Sequence, residues 1–115
     1  MAYDEGLAQI LRDDLAGEPV SERKMFGGLA FLLHGHMVCG IHKGGAMFRV
    51  GKAHEAEALA LPGVGQMLFT GKPMAGMVDV ADDAIATDST RARLMQLALS
   101  TARALPPKVA KPRKG

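Results

Sequence analysis

His34, His36, Cys39 and His42 place four side chains able to ligate zinc or copper within nine residues of one another. A metal centre needs three or four such donors converging on one point. The residues around them decide whether they converge. Two apolar runs rich in Leu, Phe, Val and Ile flank His34-Gly35, and a two-residue X-Gly link between such runs predicts a β-hairpin with a type I′ turn, whose two central residues need positive φ. Pairing Leu33 with His36 sets Leu32 against Met37 and Ala30 against Cys39 on one face, and Phe31 against Val38 on the other. Strand alternation then puts His36 and His42 on one face, Cys39 on the opposite face and His34 in the turn. No three donors meet without help from another element, so no metal site and no cofactor is expected.

Other reactive patterns are weaker. Gly71-Lys72 follows a Gly-rich run, but a phosphate loop needs a Gly separated from the Gly-Lys pair by four residues and Ser or Thr after the pair, and Gln66 and Pro73 stand there. Ser21, Ser89 and Ser100 have no His near them in sequence. Cys39, inside an apolar strand, is expected to be a buried and inert thiol. No catalytic residue is assigned, and the chain is read as a non-enzyme. Arg49 is the most informative single charge, because it sits in the strand Met47-Phe48-Arg49-Val50 among apolar neighbours. It is expected to pair with an acid such as Glu22 or Asp79, to lay its stem on the sheet with its head in water, or to anchor an interface, with Arg23 and Lys24 as weaker members of that last class.

These residues must be held by a small set of elements. Tyr3, Leu7, Ile10, Leu11 and Leu15 recur at helical spacing over residues 3–16, and Gly17 supplies a stop. The hairpin covers about 23–42, and Lys43-Gly44-Gly45 leads to a third strand over 46–50, giving a three-stranded antiparallel meander. Good helix formers over 53–60 predict a short helix ended by Pro62-Gly63. Residues 62–77, with their Gly, Pro and Met, read as an apolar loop packed on the sheet or its edge. Met77-Val78-Asp79-Val80 offers a fourth short strand. Asp88-Ser89-Thr90 opens a long amphipathic helix that places Met95, Ala98, Leu99, Ala102 and Leu105 on one stripe and stops at Pro106-Pro107. The predicted fold is α+β: an antiparallel sheet of three to four strands packed by an N-terminal and a long C-terminal helix. Because both faces of the hairpin are apolar, both need a cover.

The run RKMFGGLAFLLHGHMVCGI, together with Met47-Phe48-Arg49-Val50-Gly51, Leu61-Pro62-Gly63-Val64, Phe69-Thr70-Gly71-Lys72-Pro73-Met74 and Ala104-Leu105-Pro106-Pro107-Lys108, resembles the TfoX N-terminal domain family over residues 3 to 108. Founding members are bacterial regulators of natural competence that carry this domain ahead of a second, helical one, before which this chain stops. The resemblance implies a regulator of DNA transformation competence that helps the cyclic-AMP receptor protein activate transcription, and so a protein partner such as a transcription regulator or RNA polymerase. As one of the family-like motifs, Phe69 to Met74 joins the expected partner surface through Phe69, Lys72 and Met74.

Bulk properties fit a single folded domain. The chain has 115 residues, 48% hydrophobic and 23% charged, with eight Met, four Phe, one Tyr and no Trp. Its net charge of +2 comes from the tail. Fourteen basic residues less Lys108, Lys111, Arg113 and Lys114 leave ten against twelve acids over residues 1–107, a net of −2. The expected division is therefore a domain over 1–107 and a disordered basic tail over 108–115. That tail allows at most a weak, salt-sensitive contact with nucleic acid. One cysteine excludes an intrachain disulfide, and no apolar stretch reaches membrane-spanning length, so a cytoplasmic protein without membrane contact is expected. The apolar sheet faces and edges suggest a homodimer. Two competing classes remain, a non-specific nucleic-acid-binding protein and a metal-binding domain.

Overall fold

A computed structural model describes residues 5–25, 28–42, 45–69 and 71–105. Helix α1 (Glu5–Asp14) leads into six strands: β1 (Val20–Met25), β2 (Gly28–Leu33), β3 (His36–His42), β4 (Gly45–Arg49), β5 (Val64–Phe69) and β6 (Lys72–Val80). A 3-10 turn (Lys52–His54) and the short helix α2 (Glu55–Leu59) cross from β4 to β5. The chain then closes with α3 (Asp82–Ala86) and α4 (Asp88–Ala104). All five strand pairings are antiparallel, in the order β1-β2-β3-β4-β6-β5.

The sheet is α+β and antiparallel as predicted, but it has six strands rather than three or four. Two misreadings account for the difference. The stretch before Leu33 is two strands, β1 and β2, with Met25 paired to Gly28 and only Phe26-Gly27 between them. Residues 62–77 are no loop: β5 and most of β6 form a hairpin in which Phe69 pairs with Lys72. Gly71, at φ 80, takes the left-handed conformation that such a tight link requires. β5 thereby becomes one edge of the sheet and β1 the other.

The central hairpin turns as the sequence demands. His34 and Gly35 have φ 51 and 87, both positive, and Leu33 pairs with His36. Beyond Leu32↔Met37, however, the register shifts. Phe31 pairs with Cys39 and Ala30 with Gly40, so Val38 is the extra residue of a β-bulge. The bulge corrects the predicted faces beyond it: Val38 and Cys39 both enter the core, so Cys39 shares a side with His36, which pairs with Leu33 as expected and is buried. His42, past the bulge, points to the opposite side from Ile41.

One face of the sheet carries the core. Leu29, Phe31, Leu33, Val38, Cys39, Ile41, Ala46, Phe48, Val78 and Val80 pack against Leu7, Leu11 and Leu15 of the α1 segment, Ala58 of α2, Ile85 of α3, and Leu94, Leu97 and Ala98 of α4. α4 lies across β3 and β4, while α2 sits on β5 and β6. The Thr101 hydroxyl donates to the Val50 carbonyl at 2.6 Å and pins α4 to the end of β4. Gly51, at φ 91, leaves room for it, since a Cβ there would stand 2.8 Å from Thr101 Oγ1. α4 begins at Asp88, with Thr87 as the flanking residue; the Thr87 hydroxyl donates to the Asp83 carbonyl and so serves the end of α3 rather than capping α4. Among the described residues no helix is long and apolar enough to cross a membrane. The tail after Leu105 and its predicted disorder lie outside the described residues.

Candidate protein-binding face

Strand alternation assigns the second face of the sheet. Arg23 lies opposite Ala30, Ala30 opposite Gly40, Gly40 opposite Met47, Met47 opposite Asp79, and Asp79 opposite Gly65. Directly paired residues share a side, so these make one row across all six strands. A second row runs beside it through Ser21, Leu32 and Met37, with Arg49 paired to Met77. Every described helix contributes to the core on the other face, and no described element is packed over these rows.

The face has a shallow floor and an apolar rim. Ala30 and Gly40 form the floor and are buried beneath longer neighbours; the Met47 methyl lies over Gly40, 3.0 Å from where a Cβ would stand. Leu32, Met37 and Met47 are half-buried, and Met77 is buried. Thioether side chains are adaptable and suit surfaces that mould to a partner.

Charges divide sharply between the two sides. On the helix side and its rim, each described arginine has a carboxylate. Arg12 of α1 holds Glu22 of β1 through two hydrogen bonds, at 2.5 and 3.0 Å. Arg91 donates to Asp14 at 2.6 Å, Asp88 at 2.9 Å and the Ile85 carbonyl at 2.9 Å, Arg93 pairs with Glu57, and Arg103 with Glu18. The hydrogen bond from Arg12 holds the Glu22 carboxyl below its usual range, against the opposing effect of burial. Burial favours loss of the Arg91 proton, but its bonds to Asp14 and Asp88 prevail and raise its pKa.

On the uncovered face the pattern is reversed. Asp79 is engaged by His42, with Nε2 to Oδ1 at 2.8 Å. Neither acid proposed for Arg49 is its partner, because Glu22 holds Arg12 and Asp79 holds His42. Arg49 is half-buried and Arg23 exposed, and neither makes an ion pair among the described residues.

The other predicted contact residues are dispersed. Lys24 lies opposite Leu29 and so has the helix-side parity, exposed at the β1 edge. Phe69, Lys72 and Met74 belong to the β5–β6 hairpin at the far edge, and only their backbone is described. Among the residues whose side chains are described, the face thus unites Arg23 and Arg49 and leaves Lys24 elsewhere. Sequence reasoning missed Met37, Met47 and Met77 as a set, because their grouping needs the pairing of β4 with β6. The metal donors are split between faces as well, and no group of three or more His, Cys, Asp or Glu suited to a metal occurs among the described residues. Cys39 is fully buried, and burial, with the charge of Asp14 adding to it, drives its thiol pKa far upward.

These features define a class: an α+β domain with its described helices on one side of an antiparallel sheet and, on the other, a methionine-rich face that bears Arg23 and Arg49. The chain belongs to the TfoX N-terminal domain family, whose model matches residues 12–102. No curated protein and no solved structure matches it.

Proposed function

We propose that this chain is a regulatory protein-interaction domain of the cytoplasm, acting on DNA transformation competence through contacts with the transcription machinery. Family membership supports the regulatory class. The observation that carries the contact is Arg49, a half-buried cation with no acid partner among the described residues, set in an uncovered apolar sheet face. Arginines in such settings act as binding anchors, since their planar guanidinium accepts a carboxylate and stacks on apolar or aromatic surface.

The test uses purified RNA polymerase and purified cyclic-AMP receptor protein from the native host. Each is passed over immobilised full-length protein, residues 1–107 and the Arg49→Glu variant at moderate salt. Retention by the first two and loss with Arg49→Glu is the expected result. Retention of nucleic acid alone, abolished by salt or by removal of the tail, overturns the proposal in favour of a non-specific basic tail.

A further inference from the structure

Resting on that reading of the uncovered face, we infer that its occupant is an acidic amphipathic helix of a protein partner. Hydrogen bonding limits the choice first. β2, β3, β4 and β6 are each paired on both sides, so their backbone groups are already spent within the sheet. An added strand is confined to the edges β1 and β5. A segment lying on the face meets side chains only and must satisfy its own backbone, which a helix does. From Leu32 on β2 to Met77 on β6 there are three strand spacings, roughly 14 Å, the rise of about ten helical residues or anchors at i, i+3/i+4 and i+7.

Charge decides the rest. Arg23 and Arg49 have no acid among the described residues, while the carboxylate of Asp79 is already engaged by His42. Among the described residues, two arginines against the single carboxylate of Asp79 leave the face net positive. A second copy of this chain brings the same excess and sets arginines against arginines. The chain's own segment after Pro107 carries Lys108, Lys111, Arg113 and Lys114 and no acid, so it repels the face too. An incoming helix with Asp or Glu beside an apolar stripe matches both the arginines and the methionines.

The probe is a display library of random 18-residue peptides, selected on the full-length protein and on the Arg23→Glu/Arg49→Glu double variant. Binding of a selected peptide is then mapped by the methionine methyl resonances of the protein. Selection on the native protein should enrich Asp and Glu flanking Leu, Met or Phe at helical spacing. The chosen peptide should shift Met37, Met47 and Met77 and leave Met95, which is buried on the helix side. The double variant should bind that peptide at least about thirtyfold more weakly and select Lys and Arg instead, with an unchanged Met95 resonance showing that it folds. Peptides that dock on the same methyls without acidic bias, or equally on the double variant, overturn the acidic helix while leaving the contact face standing. Absence of enrichment, or shifts confined to other methionines, overturns both. Shifts at the three methyls that grow with protein concentration alone assign the face to a second copy and overturn the inference.

Discussion

Gly40→Ala tests how tightly the uncovered face is built, and its outcome rests on two opposed effects. Gly40 lacks the positive φ that favours glycine, so alanine suits its backbone and gains about 0.4–1 kcal/mol by restricting the unfolded chain. Against this, the new Cβ would stand 2.9 Å from the Leu29 carbonyl oxygen and 3.0 Å from the Met47 methyl. Met47 has free torsions and can swing away. The Leu29 oxygen belongs to β2, which is paired on both sides, so relief there requires β2 and β3 to separate by several tenths of an ångström. Overpacking of this kind costs about 1–3 kcal/mol, which outweighs the entropic gain and leaves a net loss of about 1–2 kcal/mol. For a domain of this size the midpoint of thermal unfolding should fall by roughly 4–8 °C. Urea unfolding of the native protein, Gly40→Ala, and Gly40→Ala with Met47→Ala separates the two contacts. The backbone contact predicts that the second substitution restores little. Stability of Gly40→Ala equal to native, or full rescue by Met47→Ala, would refute the reasoning.

Three further outcomes follow from the same geometry. Arg91→Met should cost about 2–3 kcal/mol, because it strands the Ile85 carbonyl and Asp14 at a side chain only 11% exposed; Arg93→Met, at a pair 41% and 46% exposed, should cost under about 1 kcal/mol by urea titration. Glu22 has a folded pKa below its unfolded 4.5, so its contribution is complete above that pH and fades as pH falls through the folded value. Glu22→Gln should therefore flatten a small part of the stability profile below about pH 4.5 and leave the profile near pH 7 parallel to native. Cys39 should resist a thiol-specific disulfide reagent at pH 8 in the folded protein and react fully in denaturant, since burial suppresses the thiolate; rapid reaction under native conditions would contradict the core placement.

Much of the scaffold was readable from local pattern. The His34-Gly35 turn follows from chemistry that needs positive φ at two adjacent residues. α1 and α4 follow from apolar residues at helical spacing, and α4 ends at the predicted place because Pro106 cannot continue it. The β5–β6 hairpin carried the same kind of X-Gly signal at Thr70-Gly71, hidden among Gly, Pro and Met residues whose strand preference is weak or mixed. Phe26-Gly27 likewise stands between β1 and β2, within a stretch from Arg23 to Leu33 that reads as a single strand. Of the expected contact residues, Arg23 and Arg49 share a face, whereas Lys24 was lost to simple alternation.

The sequence by itself determined α1, α2 and α4, the central turn, the buried thiol and the family, because each depends on residues close together in the chain or on an ordered run of motifs. Only the tertiary structure decided the bulge at Val38, which moves Cys39 and His42 to the faces opposite those that strict alternation assigns them, and the choice of acid for each arginine. Both are long-range. A bulge answers the twist and packing demanded by neighbouring strands and helices, and a carboxylate goes to the cation that the fold brings nearest. Glu22 reaches Arg12 across the α1–β1 gap and Asp79 reaches His42 from β6, so Arg49 reaches the surface of the uncovered face without an acid among the described residues.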